Sequence, residues 1–191
     1  MSQEERRGAG LTLVGPRGTG KSTAGQIVAQ RLGLPFFDTD TLIEATWNRS
    51  IRDIFAEGGE PRFRDLEQLV LDDYARRPPA VIATGGGIVL REPNRQTLRR
   101  YGKVVWLTGD PRVLADRLMA DPRTLLDRPA LTPAGTIAEL ADVMAARAPL
   151  YEAVADITID STGKTIAEVA EAVLRAIQEA GALVEPPGAE S

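Results

Sequence analysis

The chain has 191 residues, of which 43% are hydrophobic and 26% charged, with a net charge of −4 and a pI near 5.1. This composition fits one globular domain, and the acidic balance argues against nucleic acid as a general partner. Cysteine and histidine are both absent, which excludes disulfides, thiolate metal sites and imidazole catalysis. Acid–base chemistry therefore falls to carboxylates, lysine or phosphate.

The ends of the sequence suggest where the protein works. No apolar run is long enough to span a membrane, and residues 1–7 lack the apolar core of a secretory signal. We therefore expect a cytoplasmic protein without a membrane partner. A single domain is predicted over 1–181, and the proline- and glycine-containing end at 182–191 is expected to be a disordered tail.

Short apolar runs alternate with helical patterns along the chain. The runs at 11–14, 35–37, 80–83, 104–107 and 157–159 predict five buried strands. Apolar residues at helical spacing follow Pro61, and the capping-box pattern from Thr165 to Glu168 predicts the start of the last helix. The alternation indicates an α/β fold: a parallel sheet with helices on both faces.

The first predicted strand runs into a loop that matches Gly, four free positions and Gly-Lys-Ser. Backbone N–H groups of such a loop cradle phosphates, Lys21 adds charge at the outer phosphates, and the Ser22 hydroxyl ligates Mg²⁺. The following helix adds its free N–H groups. Lysine is scarce here, which suggests that Lys21 is kept for its chemistry. The sequence predicts binding of a nucleoside triphosphate and Mg²⁺ by residues Gly15, Arg17, Gly18, Thr19, Gly20, Lys21, Ser22 and Thr23.

Two acidic residues follow the second predicted strand. The spacing of Asp38 and Asp40 places both carboxylates on the same side of an extended chain, and ligands of open parallel sheets bind beyond the carboxyl ends of strands. One carboxylate could hold a metal-bound water, and the other could accept a proton from a substrate hydroxyl. A solvated turn fits the spacing equally well.

Other candidates are ambiguous when taken singly. Gly85, Gly86 and Gly87 follow the third predicted strand and would allow close approach of a ligand, although a tight turn also explains them. Arg64 and Glu67 are three apart on a helix, where a local ion pair is common. The long connection at 121–135, rich in proline and charge, is typical of a lid or of disorder.

Taken together in their order and spacing, these residues resemble the shikimate kinase family, from about Leu11 to about Ile177. The resemblance rests on six elements: the loop at 15–23, the Asp38/Asp40 pair, Phe63-Arg64 with Glu67, the three glycines after Thr84, Arg128-Pro129, and the stretch from Arg147 to Tyr151.

What the resemblance implies is a P-loop fold of the nucleoside-monophosphate-kinase type, with three α/β/α layers and five parallel strands. It also implies a lid over about 121–135 and a substrate-binding region over about 38–76. The implied reaction transfers the γ-phosphoryl group of ATP to the 3-hydroxyl of shikimate, giving ADP and shikimate 3-phosphate for chorismate and aromatic amino acid biosynthesis. A monomer is the expectation for this family.

The resemblance also implies roles for individual residues on the shikimate side. Arg64 and Arg147 would hold the carboxylate, Glu67 would orient Arg64, and Asp40 would be the base for the attacking hydroxyl. The ring would lie against the backbone of the three glycines and an apolar wall of Phe55 and Phe63.

On the nucleotide side, Lys21 would neutralise the β- and γ-phosphates while Ser22 ligates Mg²⁺. Asp38 would reach the metal through water. Arg128 would close over the transferring group from the lid, and Arg117 would contact the adenine.

The chain departs from the common pattern at two places. Trp47-Asn48 replaces a usual Thr-Gly, and asparagine tolerates the left-handed conformation that the turn needs. The lid reads Arg128-Pro-Ala-Leu131 where Arg-Pro-Leu-Leu is common, and it is longer than in some members. Three alternatives remain at this stage: a gluconate-kinase-like enzyme of the same fold, a non-catalytic ligand sensor, and an interaction protein with a relic nucleotide site.

Overall fold

The computed structural model describes residues 8–120 and 136–181. The predicted lid, including Arg128, and the predicted tail at 182–191 lie outside these residues. Within them, no helix is both long and apolar enough to cross a lipid bilayer.

Five parallel strands form one sheet in the order β2-β3-β1-β4-β5 within the described part of the chain. This confirms the predicted parallel sheet. Every residue of β1 and β3 is buried, as expected for central strands with helices on both faces. The strands are β1 (Gly10–Val14), β2 (Phe36–Asp38), β3 (Val81–Ala83), β4 (Gly102–Thr108) and β5 (Ile157–Asp160).

Helices cover the sheet on two sides, which makes three layers. Apolar residues of β1 pack with α1 and α7 in one cluster, and those of β4 pack with α3, α4 and α6 in another. The helices of the described residues are α1 (Lys21–Leu32), α2 (Thr39–Trp47), α3 (Ile51–Tyr74), α4 (Glu92–Tyr101), α5 (Pro111–Ala120), α6 (Thr136–Glu152) and α7 (Ile166–Glu179), with a 3₁₀ turn at Ile88–Leu90.

A break divides α3 into two segments. Gly59 has φ 63° and ψ −167°, and Pro61 follows two residues later. Proline suits the first turn of a helix because its missing N–H has no partner there in any case. The second segment is the helix that the sequence predicts after Pro61, and it carries Arg64 and Glu67.

The turn after β2 corrects one step of the sequence argument. Asp38 caps the start of α2, because its side chain accepts hydrogen bonds from the N–H groups of Asp40 and Thr41 at 3.0 and 3.2 Å. Asp40 therefore lies in the first turn of a helix, so the assumption of an extended chain through both carboxylates is wrong. At the other end of α2, Asn48 is left-handed with φ 50°, as the sequence predicts.

Candidate active site

The glycine-rich loop leads from β1 into α1 and holds Lys21 in an almost fully buried position. Its Nζ donates to the Pro16 carbonyl at 2.6 Å. Burial lowers the pKa of Lys21 to about 8, although the nearby Asp40 and Asp38 carboxylates oppose the shift. A phosphate group that reached this ammonium would stabilise its charge further. The Lys21 ammonium thus adds its charge to that of the N-terminal end of α1, where the helix dipole is positive.

Ser22 and Asp38 come together at the start of α1 and the end of β2. The Ser22 hydroxyl donates to Asp38 Oδ2 at 2.5 Å. Both groups are hard oxygen donors, which suits Mg²⁺. The described residues contain no group of three or more His, Cys, Asp or Glu that could hold a metal by themselves.

Arg64 is the most constrained cation of the site. Its Nη1 donates to Glu67 Oε2 at 2.7 Å, and its Nε and Nη2 both donate to Glu60 Oε1 at 3.1 and 2.9 Å. Burial opposes the charge of Arg64, but the two carboxylates outweigh this effect and raise its pKa above the ordinary value. Glu60 was not predicted from the sequence, although it stands four residues before Arg64, at the start of the segment that carries it.

Two of the three glycines, Gly85 and Gly87, fit closely against ionic side chains. A Cβ on Gly85 would lie 2.6 Å from Glu67 Oε1 and 2.9 Å from Asp40 Oδ1, and one on Gly87 would lie 2.2 Å from Arg64 Nη2. The backbone therefore packs directly against Asp40, Glu67 and Arg64. These contacts explain why Gly85 and Gly87 have no side chain, apart from any approach of a ligand. The sequence alone could not show this packing.

Arg147 and Tyr151 of α6 meet on the carbonyl of Gly86. Arg147 Nη1 donates to this oxygen at 3.0 Å, and the Tyr151 hydroxyl donates to it at 2.5 Å. Burial raises the pKa of Tyr151 to about 12, so its hydroxyl remains a donor at neutral pH. Trp106 of β4 stacks on the Tyr151 ring with centroids 5.4 Å apart. No separate role for Tyr151 could be predicted from the sequence, because its hydrogen-bond partner lies 65 residues away.

A cavity of about 610 Å³ is lined by residues of α3, α5 and α6 and of the loops after β1 and β3. Its lining does not include Lys21, Ser22, Asp38, Asp40, Gly85 and Glu67. Arg64, Gly86, Gly87 and Arg147 line it together with Phe55, as the sequence analysis expects for residues that face a substrate. Phe63 is not part of this lining. It is fully buried behind Phe55, with ring centroids 5.0 Å apart, so it supports the apolar wall from behind. Charged and apolar residues that the sequence analysis did not name also line the cavity: Arg52, Glu60, Leu118, Glu139, Leu140, Val143 and Met144.

Arg117 joins two loops at the nucleotide end of the site. Its guanidinium donates to the carbonyls of Ser161 and Lys164 at 3.0 Å each and reaches the Gly18 carbonyl at 3.4 Å. The side chain thus connects the glycine-rich loop with the segment after β5. The predicted contact of Arg117 with adenine stays a prediction.

Comparison with known proteins gives the same family at the level of sequence. The family model described as shikimate kinase matches residues 17–178. A shikimate kinase of Rhodopirellula baltica is 44% identical over 176 residues, covering 92% of this chain and 94% of the relative. One from Symbiobacterium thermophilum is 42% identical over 171 residues, covering 90% and 97%.

Solved structures extend the comparison to the fold. The shikimate kinase of Acinetobacter baumannii in complex with shikimate superposes with a TM-score of 0.84 and 33% identity, covering 94% of this chain and 98% of that one. A gluconokinase of Sinorhizobium meliloti 1021 gives a TM-score of 0.61 and 20% identity, covering 92% and 95%. The second likeness concerns the fold alone.

Proposed function

The chain belongs to the shikimate kinase family, and from this premise we propose how its residues bind the two substrates and transfer the phosphoryl group. The reaction is ATP-dependent phosphorylation of shikimate, with the 3-hydroxyl as acceptor and shikimate 3-phosphate and ADP as products. The observation that carries the assignment of roles is the position of Asp40. Its charge acts on Lys21, while its Oδ1 lies close to the Gly85 backbone next to Glu67.

On the donor side, the loop N–H groups and Lys21 bind the β- and γ-phosphates. Ser22 and Asp38 would hold Mg²⁺, with Asp38 acting through water as the family resemblance implies, and the bound ion would supply charge neutralisation at the phosphates. The hydrogen bond between these two side chains supports this proposal, since it places both oxygens at one point of the loop.

On the acceptor side, Arg64 and Arg147 bind the carboxylate of shikimate. Both guanidinium groups face the same cavity, and the guanidinium fork matches the geometry of a carboxylate. Glu67 orients Arg64 through the 2.7 Å contact. Phe55 supplies the apolar surface for the ring, with Phe63 behind it, and the backbone of Gly86 and Gly87 closes one side.

Asp40 acts as the base in the chemical step. It takes the proton of the attacking hydroxyl as the new O–P bond forms and the bond from the γ-phosphorus to the bridging oxygen of ADP breaks. Lys21 stabilises the charge that develops on the phosphate oxygens. The first turn of α2 places the Asp40 carboxylate near the buried ammonium, which supports this role.

Two further residue roles rest on the family resemblance. Arg128, outside the described residues, closes over the transferring phosphoryl group, and Arg117 contacts the adenine of ATP. The protein acts as a cytoplasmic monomer without nucleic acid or membrane partners, and a net charge of −4 supports the exclusion of nucleic acid.

A coupled assay of ADP release tests the proposal. The purified protein is incubated with ATP and Mg²⁺ plus shikimate, gluconate or no acceptor. We expect release that depends on shikimate and falls at least about a hundredfold in Asp40→Asn, because a positioned base is worth that much or more. Asp73→Asn is the matched control, since Asp73 lies exposed on α3 and pairs with Arg77.

The other outcomes discriminate between the alternatives. Release with gluconate alone would mean that the acceptor site is misassigned on the correct fold. ATP binding without release for either acceptor would favour a ligand sensor. Full activity of Asp40→Asn would remove Asp40 from the role of base.

A further inference from the structure

Glu60 binds one edge of the Arg64 guanidinium, the group that is proposed to bind the carboxylate of the substrate. Its Oε1 accepts hydrogen bonds from Nε and Nη2 of Arg64 at 3.1 and 2.9 Å. Two adjacent nitrogens of this kind form one of the edges on which arginine binds a carboxylate. A carboxylate of the protein itself therefore occupies a position that an incoming carboxylate can use.

Arg64 is held in place by other contacts. Glu67 is fully buried and accepts from Nη1 at 2.7 Å. The Phe63 ring lies 5.2 Å from the Arg64 Cζ, and the Gly87 backbone packs so closely that a Cβ there would lie 2.3 Å from the same atom. These contacts approach the guanidinium from the side of the protein interior. Glu60 is thus not required to orient Arg64.

The charges around Arg64 make Glu60 unfavourable for an anionic ligand. Glu60 lines the cavity together with Arg64 and Arg147, so its carboxylate lies beside the cations that an anionic ligand would use. An acceptor that carries a carboxylate meets this charge as it approaches. The Glu60 side chain is 54% exposed while that of Arg64 is 8% exposed, so Glu60 is the partner that can turn into solvent when a ligand takes its place on the guanidinium.

The backbone also explains how Glu60 reaches this position. It lies between Gly59, where α3 breaks, and Pro61, where the second segment begins. Its side chain therefore projects from the junction of two helical segments. Rotation of this side chain away from Arg64 breaks no hydrogen bond of the helix backbone.

We propose that Glu60 is an internal competitor of the acceptor carboxylate for Arg64 and that it sets the affinity for the acceptor. This inference rests on the proposed function, because it concerns the acceptor site of that reaction. Glu60 weakens the binding of anionic acceptors and is displaced by one whose carboxylate can bind Arg64 and Arg147 together. It leaves the phosphoryl-transfer step itself unchanged.

The test compares Glu60→Gln with Glu57→Gln. Both variants remove one negative charge from α3, but Glu57 pairs with Arg49 at 3.3 Å, away from Arg64. Calorimetry measures the Kd of shikimate without nucleotide, and steady-state kinetics measure KM and kcat. For Glu60→Gln we expect Kd and KM for shikimate to fall about three- to tenfold, with kcat and KM for ATP within about twofold of the wild type.

An uncharged ligand separates competition from a general change of the site. The methyl ester of shikimate has no charge for Glu60 to repel, so Glu60→Gln should not improve its binding. We expect wild-type affinity for both ligands in Glu57→Gln.

Two results would overturn the inference while leaving the proposed function intact. Weaker shikimate binding in Glu60→Gln would show that Glu60 positions Arg64, and unchanged binding would show that Glu60 does not compete for it. An equal gain for the acid and its methyl ester would show that charge competition is not the cause. If the wild-type protein neither binds nor phosphorylates shikimate, the proposed function itself is wrong.

Discussion

At the scale of single residues, Gly87 shows how closely the acceptor site is packed. Its φ of −104° is open to any residue, so alanine there would cause no backbone strain. A Cβ would nevertheless lie 2.2 Å from Nη2 of Arg64 and push the guanidinium from its place. We expect Gly87→Ala to raise KM for shikimate about tenfold or more, with KM for ATP unchanged, in steady-state assays.

Gly181→Ala is a control in which the substitution strains the backbone but displaces no neighbouring atom. Gly181 has φ 65° with open space around it, so alanine introduces strain of about 1 kcal/mol without a clash. Stability should fall slightly while both KM values stay the same. A Gly87→Ala variant with normal KM for shikimate would contradict the assigned position of Arg64.

The residues that the sequence revealed are those whose chemistry follows from a local motif. Lys21 and Ser22 stand at set positions in a phosphate loop, and Arg64 and Glu67 are close enough along a helix to pair. Glu60 and Tyr151 escaped prediction for different reasons. Glu60 looks like an ordinary surface glutamate, and Tyr151 acts on a carbonyl 65 residues away. A long-range contact such as that of Tyr151 leaves no periodic signal in a sequence.

At the scale of elements, the capping box of α7 was predicted from four residues and is confirmed. The Thr165 hydroxyl accepts from the Glu168 N–H at 3.3 Å, and Glu168 accepts from the Thr165 N–H at 2.7 Å. We expect Thr165→Ala to lower the free energy of unfolding by about 1 kcal/mol, measured by urea denaturation at pH 7. No loss of stability would mean that the cap is not formed in solution.

The same box predicts a dependence on pH. Hydrogen bonds from Thr165 lower the pKa of Glu168 below its ordinary value of 4.5. The stabilisation is therefore present above pH 4.5 and is lost as the pH falls below it. Glu168→Gln should be less stable than the wild type at pH 7, and the difference should shrink below pH 4.5. Glu179→Gln, in the last turn of α7, should show no such loss at pH 7.

The elements themselves were predictable where burial is complete. β1 and β3 are buried throughout and, apart from Thr12 of β1, carry no polar side chain, because both of their faces are covered, and such runs are easy to locate. The break at Gly59 and the cap at Asp38 were not predicted. Each depends on the conformation of one residue, which tertiary packing selects among several that the sequence allows.

At the scale of the whole molecule, binding of either substrate should stabilise the fold. A ligand at about 100 times its Kd adds about 2.7 kcal/mol, which raises Tm by about 5–10 °C in a chain of this size. We expect this shift with shikimate for the wild-type protein but not for Arg147→Ala, which loses a cation of the cavity. The shift with ATP and Mg²⁺ should remain in both proteins.

Arg31→Ala controls for the loss of an arginine. Arg31 is exposed and pairs with Glu171 at 3.3 Å, so this variant should keep both shifts. A full shikimate shift in Arg147→Ala would show that Arg147 does not hold the acceptor.

The alternation of strands and helices predicted the parallel sheet, but the strand order could not be read from the apolar runs. Each run indicates that a strand is buried without indicating its neighbours. The contribution of Leu118 and Leu140 to the cavity was likewise hidden, because both look like ordinary core residues in the sequence. Both features depend on how the chain folds back on itself.

The strand order also determines when each strand can pair with its neighbours while the chain is being synthesised. β1 is made early, yet its neighbours in the sheet are β3 and β4, so it cannot pair with β3 until synthesis has passed Ala83, nor with β4 until synthesis has passed Thr108. The phosphate loop that follows β1 therefore exists in the nascent chain long before its scaffold does. Arg147 and Tyr151 come later still, and only then is the acceptor pocket complete. A chain that is terminated before Arg147 carries the nucleotide-binding motif without the means to select an acceptor.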